Sequence, residues 1–203
     1  MNCRPCTAIA SAFITLSLSG CVHQVGFHPV KPAAEISSQT QASVSLYIAP
    51  GIVSSVYSFR AAGSGLANKW VVDYGTRVRD YAVQYLSDAF GPINEVDGPA
   101  SDSQANVSIS EVTFSIRGQA ANVTMSASAT NEVGEQLLSE RYQARGWSGA
   151  GAVFGGGAFA QKGVTRSSTD QALKEIFLKL VDDLRMALGI NAQPVSPSKS
   201  EGQ

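Results

Sequence analysis

Apolar and polar positions alternate with two different periods along this chain, and the change of period marks out its elements. Ser43-Val44-Ser45-Leu46-Tyr47-Ile48-Ala49 alternates as a strand does, and Ser54 to Arg60 offers a second strand after Pro50-Gly51. From Val71 to Phe90 the period lengthens. Tyr74, Val78, Tyr81, Tyr85 and Leu86 recur three and four residues apart, which predicts a helix stopped by Gly91-Pro92. A short strand is expected at Ile93 to Val96, with a turn at Asp97-Gly98-Pro99.

Three longer strands follow. Val107 to Arg117 carries Val112, Phe114 and Ile116 on one side. In Asn122 to Thr130, Val123, Met125, Ala127 and Ala129 alternate with Thr124, Ser126, Ser128 and Thr130. Leu137 to Trp147 presents Leu138, Tyr142 and Ala144. The connections Gly118 to Ala121 and Asn131 to Glu135 have hairpin length, so the three make an antiparallel meander with one apolar and one wet face. A last helix is predicted from Ser168 to Leu188, with Leu173, Ile176, Phe177, Leu180, Val181, Leu184 and Leu188 as its apolar stripe. Ser168-Thr169-Asp170-Gln171 reads as its capping box and Gly189 as its stop. The fold class is therefore α+β: an antiparallel sheet of about four to six strands with two helices packed on one face.

The two ends follow other patterns. Arg4 precedes an apolar run from Ala8 to Leu18, and the run closes on the small pair Ser19-Gly20 before Cys21. Basic, apolar and small residues in that order form a secretory leader, and the run is too short for a spanning helix, which needs about 20 apolar residues. Leu18-Ser19-Gly20-Cys21 resembles the lipobox of bacterial lipoproteins, which implies cleavage before Cys21 and a lipid on its thiol. The expected layout is a leader over 1–20, a flexible tether over 21–42, a single domain over 43–190 and a disordered tail over 191–203. A relaxed tether of that length would average about 25 Å between its ends.

Composition narrows the chemistry. Of 203 residues, 15 are basic and 16 acidic, for a net charge of −1, which gives no footprint for nucleic acid. The leader would take Cys3 and Cys6 with it, leaving Cys21 occupied by lipid, so no disulfide or thiolate metal site is expected. His23 and His28 are the only histidines and fall in the tether, so no histidine base is held by the domain. Asp182-Asp183, Glu132 with Glu135, and Asp97 with Asp102 read as solvated faces and turn caps, and no catalytic residue is assigned. Tyr74, Tyr81 and Tyr85 share a helix face and read as core, with an aromatic ligand shelf as the alternative. Trp70 reads either as an anchor at a membrane interface or a partner, or as a staple at the helix entrance.

One stretch resists a purely structural reading. Gly146 to Gly163 holds seven of the 19 glycines, with Lys162 as its only charge. It lacks the Gly-Lys-Ser/Thr end of a phosphate loop, and Phe154 stands where a dinucleotide fingerprint needs its third glycine, so no nucleotide is expected. It is a loop without function, or an extension of the hairpin, or Trp147, Val153, Phe154 and Phe159 form an adaptable apolar surface for lipid or a partner.

Phe90-Gly91 closing a helix, the Ser/Ala-rich meander, Arg141-Tyr142-x-Ala144, Ala158-Phe159-Ala160 and Ala172-Leu173 together resemble the YajG-type outer-membrane lipoproteins. The resemblance implies fold and location and brings no catalytic position. Val22 rather than Asp after the cysteine implies, by the sorting rule of such lipoproteins, export to the outer membrane with the domain facing the periplasm. The function expected is a non-enzymatic binding or scaffolding module for an envelope protein partner. The alternative is a lipid-binding accessory in envelope lipid or lipopolysaccharide transport. No cofactor is expected beyond the covalent lipid on Cys21.

Overall fold

The computed structural model describes residues 21–36, 39–60, 68–98, 102–148 and 157–190, and within the last segment the side chains from 160 onward. Its elements in chain order are β1 (Val22–Val25), β2 (Val44–Ile48), α1 (Pro50–Val53), β3 (Tyr57–Phe59), β4 (Lys69–Val72), α2 (Tyr74–Phe90), β5 (Asn94–Glu95), β6 (Ala105–Arg117), β7 (Ala120–Thr130), β8 (Gln136–Trp147) and α3 (Gly157–Ala187).

The meander forms where alternation predicts it. Val123, Met125, Ala127 and Ala129 of β7 are all buried, while the intervening residues are not. Antiparallel pairing runs unbroken from Arg117–Ala120 to Glu111–Ser126, and a bulge between Ile109 and Glu111 resets the register toward Asn106–Thr130. β8 pairs along the other edge of β7, from Ala120–Trp147 to Thr130–Gln136.

The α+β class holds, with a correction to the sheet. Its order is β5-β2-β6-β7-β8, and β2 pairs parallel to both β5 and β6, so the sheet is mixed rather than wholly antiparallel. Between β2 and its partners the chain passes through α1, β3, β4 and α2, the long crossover that parallel pairing requires. A second sheet of three short strands, β1-β4-β3, lies beside the first.

α2 starts one turn later than its periodicity suggests, because Val71 and Val72 belong to β4. Asp73 caps it, accepting a hydrogen bond from the Thr76 amide at 3.1 Å. α3 starts earlier than predicted and spans 31 residues, about 46 Å. The expected capping box is therefore interior. Ser168 and Thr169 are buried and return their hydroxyls to the Thr165 carbonyl at 3.2 and 2.7 Å, which satisfies them inside a helix. Gln171 serves the sheet instead, accepting from the Trp147 amide at 2.7 Å. The C-terminal stop is as predicted: Gly189 takes φ +69°, and the Gly189 and Ile190 amides bond back to Met186 and Arg185.

The core lies between the large sheet and both long helices. Leu173, Ile176, Phe177, Leu180, Val181 and Leu184 of α3 are sealed, as are Val78, Ala82, Leu86 and Ala89 of α2. Burying each large side chain contributes about 1.5–3 kcal/mol before entropy is charged against it. Tyr81, Tyr85 and Phe177 meet at ring separations of 5.4–6.4 Å, so the tyrosines pack as core rather than as a ligand shelf. Tyr74 stacks on Phe114 at 5.0 Å.

Candidate functional site: the anchor segment and the Trp147 end of the sheet

The residues after Cys21 are fastened to the domain. The tether expected over 21–42 begins as a strand: Val22, His23, Gln24 and Val25 pair in parallel with Lys69, Trp70, Val71 and Val72. The Cys21 carbonyl already accepts from the Lys69 amide at 3.0 Å. Cys21 itself is exposed and its thiol is free. Low periodicity concealed this strand, because a four-residue run held by a distant partner has no pattern of its own to display.

Trp70 and His23 are corrected accordingly. Trp70 is 2% exposed, inside the small sheet rather than at the helix entrance. His23 stacks on it at 4.9 Å and bonds Asn68 at 3.2 Å, so this histidine is not a solvated linker residue.

Further along, the segment is clamped by side chains from both long helices. Arg77 of α2 is 3% exposed. Its Nη1 donates to the His28 carbonyl at 2.7 Å, and its Nε and Nη2 meet Asp170 of α3 at 2.8 and 2.7 Å. Its guanidinium lies 4.9 Å from the ring centroids of both Phe27 and Tyr81. Arg166 of α3 donates to the Gly26 carbonyl at 2.7 Å and also touches the His28 ring. Farther on, the Ala33 amide donates to Asp88 at 2.7 Å, Lys174 pairs with Glu35, and the Thr40 amide donates to the Ala89 carbonyl at 2.9 Å.

These contacts shape the electrostatics. Burial pushes the Tyr81 hydroxyl up, and the Asp170 charge adds to the shift. Desolvation raises the Asp80 carboxyl, and the charges of Arg77 and Arg79 offset only part of it. Asp73, Thr76, Arg77 and Asp80 line a surface cavity of about 360 Å³ together with Gly26 and Phe27. Arg77 is already committed to Asp170 and His28 there, so it acts as a brace.

Trp147 ends β8 and is 52% exposed, with the Arg145 guanidinium 5.7 Å from its ring. Gly146, one residue earlier, admits α3: a Cβ there would stand 1.8 Å from the Ser168 carbonyl oxygen. Of the other candidate contact residues, Val153 and Phe154 lie outside the described residues. Phe159 falls in the first turn of α3, with its side chain outside them. Leu18, Ser19, Gly20 and the tail over 191–203 lie outside them too. The structure therefore joins none of these to Trp147.

The carboxylates singled out in the sequence are dispersed. Asp183 accepts from the Tyr142 hydroxyl at 2.9 Å, and Glu135 closes the β7–β8 turn through Asn131 at 3.0 Å. Among the described residues, no group of three or more His, Cys, Asp or Glu side chains is arranged to hold a metal. None of the described helices is long and apolar enough to cross a membrane.

No family model and no curated protein matches this sequence. Solved structures do. The chain is similar to a Xanthomonas campestris protein of the domain-of-unknown-function family DUF330, at 14% identity and a TM-score of 0.53, over 82% of this chain and 95% of that one. A Caulobacter crescentus protein described as a candidate lipoprotein matches at 11% identity and a TM-score of 0.41, over 72% of this chain and 90% of that one. The first likeness shows a shared fold.

Proposed function

We propose that this chain is a bacterial envelope lipoprotein, acylated on Cys21 and held at the outer membrane with its domain in the periplasm. There it acts as a non-enzymatic binding or scaffolding module for an envelope protein complex. The observation that carries this reading is the setting of Cys21. An apolar leader ends immediately before it, its thiol is exposed, and β1 begins at the next residue. A lone acyl chain binds membranes only marginally, so a multiply acylated cysteine is the form that gives lasting attachment. The YajG-type resemblance agrees in location. Its motif residues have structural duties in the fold: Tyr142 and Ala144 face the core, and Phe90 closes α2.

The lipid-carrying alternative needs acyl chains to be held either between helices and sheet or by the glycine-rich stretch, of which 149–156 lie outside the described residues. The seam between helices and sheet is filled by Tyr81, Tyr85, Phe177, Leu180 and Leu184, which favours the scaffolding reading. No nucleotide, nucleic acid or cofactor other than the covalent lipid enters this proposal.

Radiolabelled fatty acid fed to cells should label the protein, and Cys21→Ala should abolish both the label and outer-membrane fractionation. In-cell crosslinking, detergent extraction and mass spectrometry should then recover a stoichiometric protein partner. Bound lipid beyond the anchor without any protein partner would replace scaffolding by lipid transport. Peptidoglycan degradation by the purified domain would overturn the non-enzymatic assignment.

A further inference from the structure

The lipidated cysteine and the first strand are contiguous, and this sets how the domain meets the membrane. Resting on the acylation proposed above, we infer that the Cys21 end of the small sheet lies directly on the headgroup layer, in one fixed orientation, without an intervening tether. Its partner is an anionic lipid surface.

Three observations carry this inference. First, no free chain separates lipid from domain: the Cys21 carbonyl is bonded to the Lys69 amide, and Val22 is in register with Lys69. Consecutive Cα atoms are 3.8 Å apart, so the anchor leaves the sheet almost no clearance from the bilayer. Second, the segment behind β1 cannot peel away readily, since Arg77 and Arg166 hold the Gly26 and His28 carbonyls. Third, the Cys21 end of the sheet carries exposed cations. The Cys21 end presents exposed Lys69 and Arg60, the latter following Phe59, which pairs with Trp70. Val22 is 61% exposed beside them. At the far end, past the Tyr57–Val72 pair, stand Asp73 and, nearly two turns into α2, Asp80, with the buried Arg77 between them already committed to Asp170. Exposed cations beside the acyl chains match a negatively charged leaflet.

The test uses full-length protein, purified with its lipid and reconstituted in vesicles of phosphatidylethanolamine and phosphatidylglycerol. With Cys21 acylated, and Cys3 and Cys6 lost with the leader, an introduced cysteine is the sole labelling site. A fluorophore at Lys69→Cys should be quenched by headgroup-level nitroxide lipid at least several-fold more than one at Val56→Cys, which sits at the opposite end of the sheet. Charge reversal at Arg60→Glu together with Lys69→Glu, read by a label at Val22→Cys, should reduce quenching in anionic vesicles. Equal quenching at Lys69→Cys and Val56→Cys in a protein whose mass shows acylated Cys21 would overturn the fixed orientation and leave the lipoprotein reading standing. An intact protein without acyl mass would sink both. Charge reversal without effect, with the gradient intact, would overturn the anionic-surface part alone.

Discussion

The β6–β7–β8 meander and the anchor segment before β2 are ordered by different means. In the meander, every strand is joined to its neighbour by a short turn, and alternation seals one face against α3. Closing such loops costs little entropy. The anchor segment contributes one four-residue strand, and its partner β4 lies more than forty residues away. Besides Val25 and Ala33, which reach the core, it is held by a set of polar clamps from α2 and α3 onto its backbone carbonyls and amides. A region built from local apolar pairs should lose stability by degrees. One built on few long-range polar contacts should come loose when a single clamp is cut.

Arg77→Ala is the most severe way to test that contrast. It removes a nearly sealed guanidinium, takes its hydrogen bonds from Asp170 and the His28 carbonyl, and opens space between Phe27 and Tyr81. Breaking a buried pair costs about 3–5 kcal/mol, and the partial exposure of Asp170 argues for the lower end of that range. A fall in Tm of roughly 6–12 °C is expected. Hydrogen exchange should rise first in residues 22–36, with β6 to β8 still protected. Simultaneous loss of protection in both regions would show that they are one cooperative unit.

Gly146→Ala attacks the other side of the comparison. The added methyl would sit 1.8 Å from the Ser168 carbonyl oxygen and 2.7 Å from the Ala172 amide nitrogen, both backbone atoms of α3. Helix and strand must separate, at a cost of about 1–3 kcal/mol. Protection should drop along β8 and the facing turns of α3, while β1 retains its own. Unchanged stability would mean that α3 can slide on the sheet.

These positions also mark how far the sequence could be read. The meander, α2 and the body of α3 declare themselves by period, because each buries a face against whatever lies opposite. Of the small sheet only β3 declares itself, within the Ser54 to Arg60 run: Val22 to Val25 and Lys69 to Val72 are too short for periodicity, and their parallel pairing leaves no turn between partners to betray them. Arg77 looked like any charged helical residue, since its role is written in Asp170 and His28, far along the chain. Ser168 to Gln171 misled for the same reason: residues suited to capping were recruited by Thr165 and the end of β8. For the site, Cys21 was legible because a leader is recognised as a linear signal, whereas its fastening to β4 was not.

Tyr142→Phe weighs one polar tie within the well-packed half. The hydroxyl donates to Asp183 at 2.9 Å, and its loss should cost about 1–2 kcal/mol, as for a hydrogen bond to a charged acceptor. Burial, then this bond to Asp183, raise the Tyr142 phenol, and burial likewise pushes Tyr85 up to about 12. The folded state thus keeps these protons at pH values where the unfolded chain releases them. Their contribution is complete below the ordinary tyrosine pKa, about 10, and is lost as pH rises beyond it. Wild-type stability should therefore decline in alkali, and Tyr142→Phe should flatten that decline. An unaltered alkaline slope in the variant would assign it to Tyr81 and Tyr85.

The smallest effect belongs to the outermost clamp of the anchor segment. Lys174 and Glu35 pair at the surface, and the hydrogen bond from Lys174 holds the Glu35 carboxyl below its usual value. An exposed pair gains little because water and salt compete for both charges. Lys174→Ala should change Tm less than Tyr142→Phe does. A lowered carboxylate pKa gives stability that is present above the unfolded value and vanishes as pH falls through the folded one. The difference between variant and wild type should thus disappear in acid, and also near 1 M salt, where the screening length is about 3 Å. A loss that persisted under both conditions would show that the Lys174 side chain holds the segment by packing its aliphatic stem. The anchor segment would then resemble the meander more closely than its polar clamps suggest.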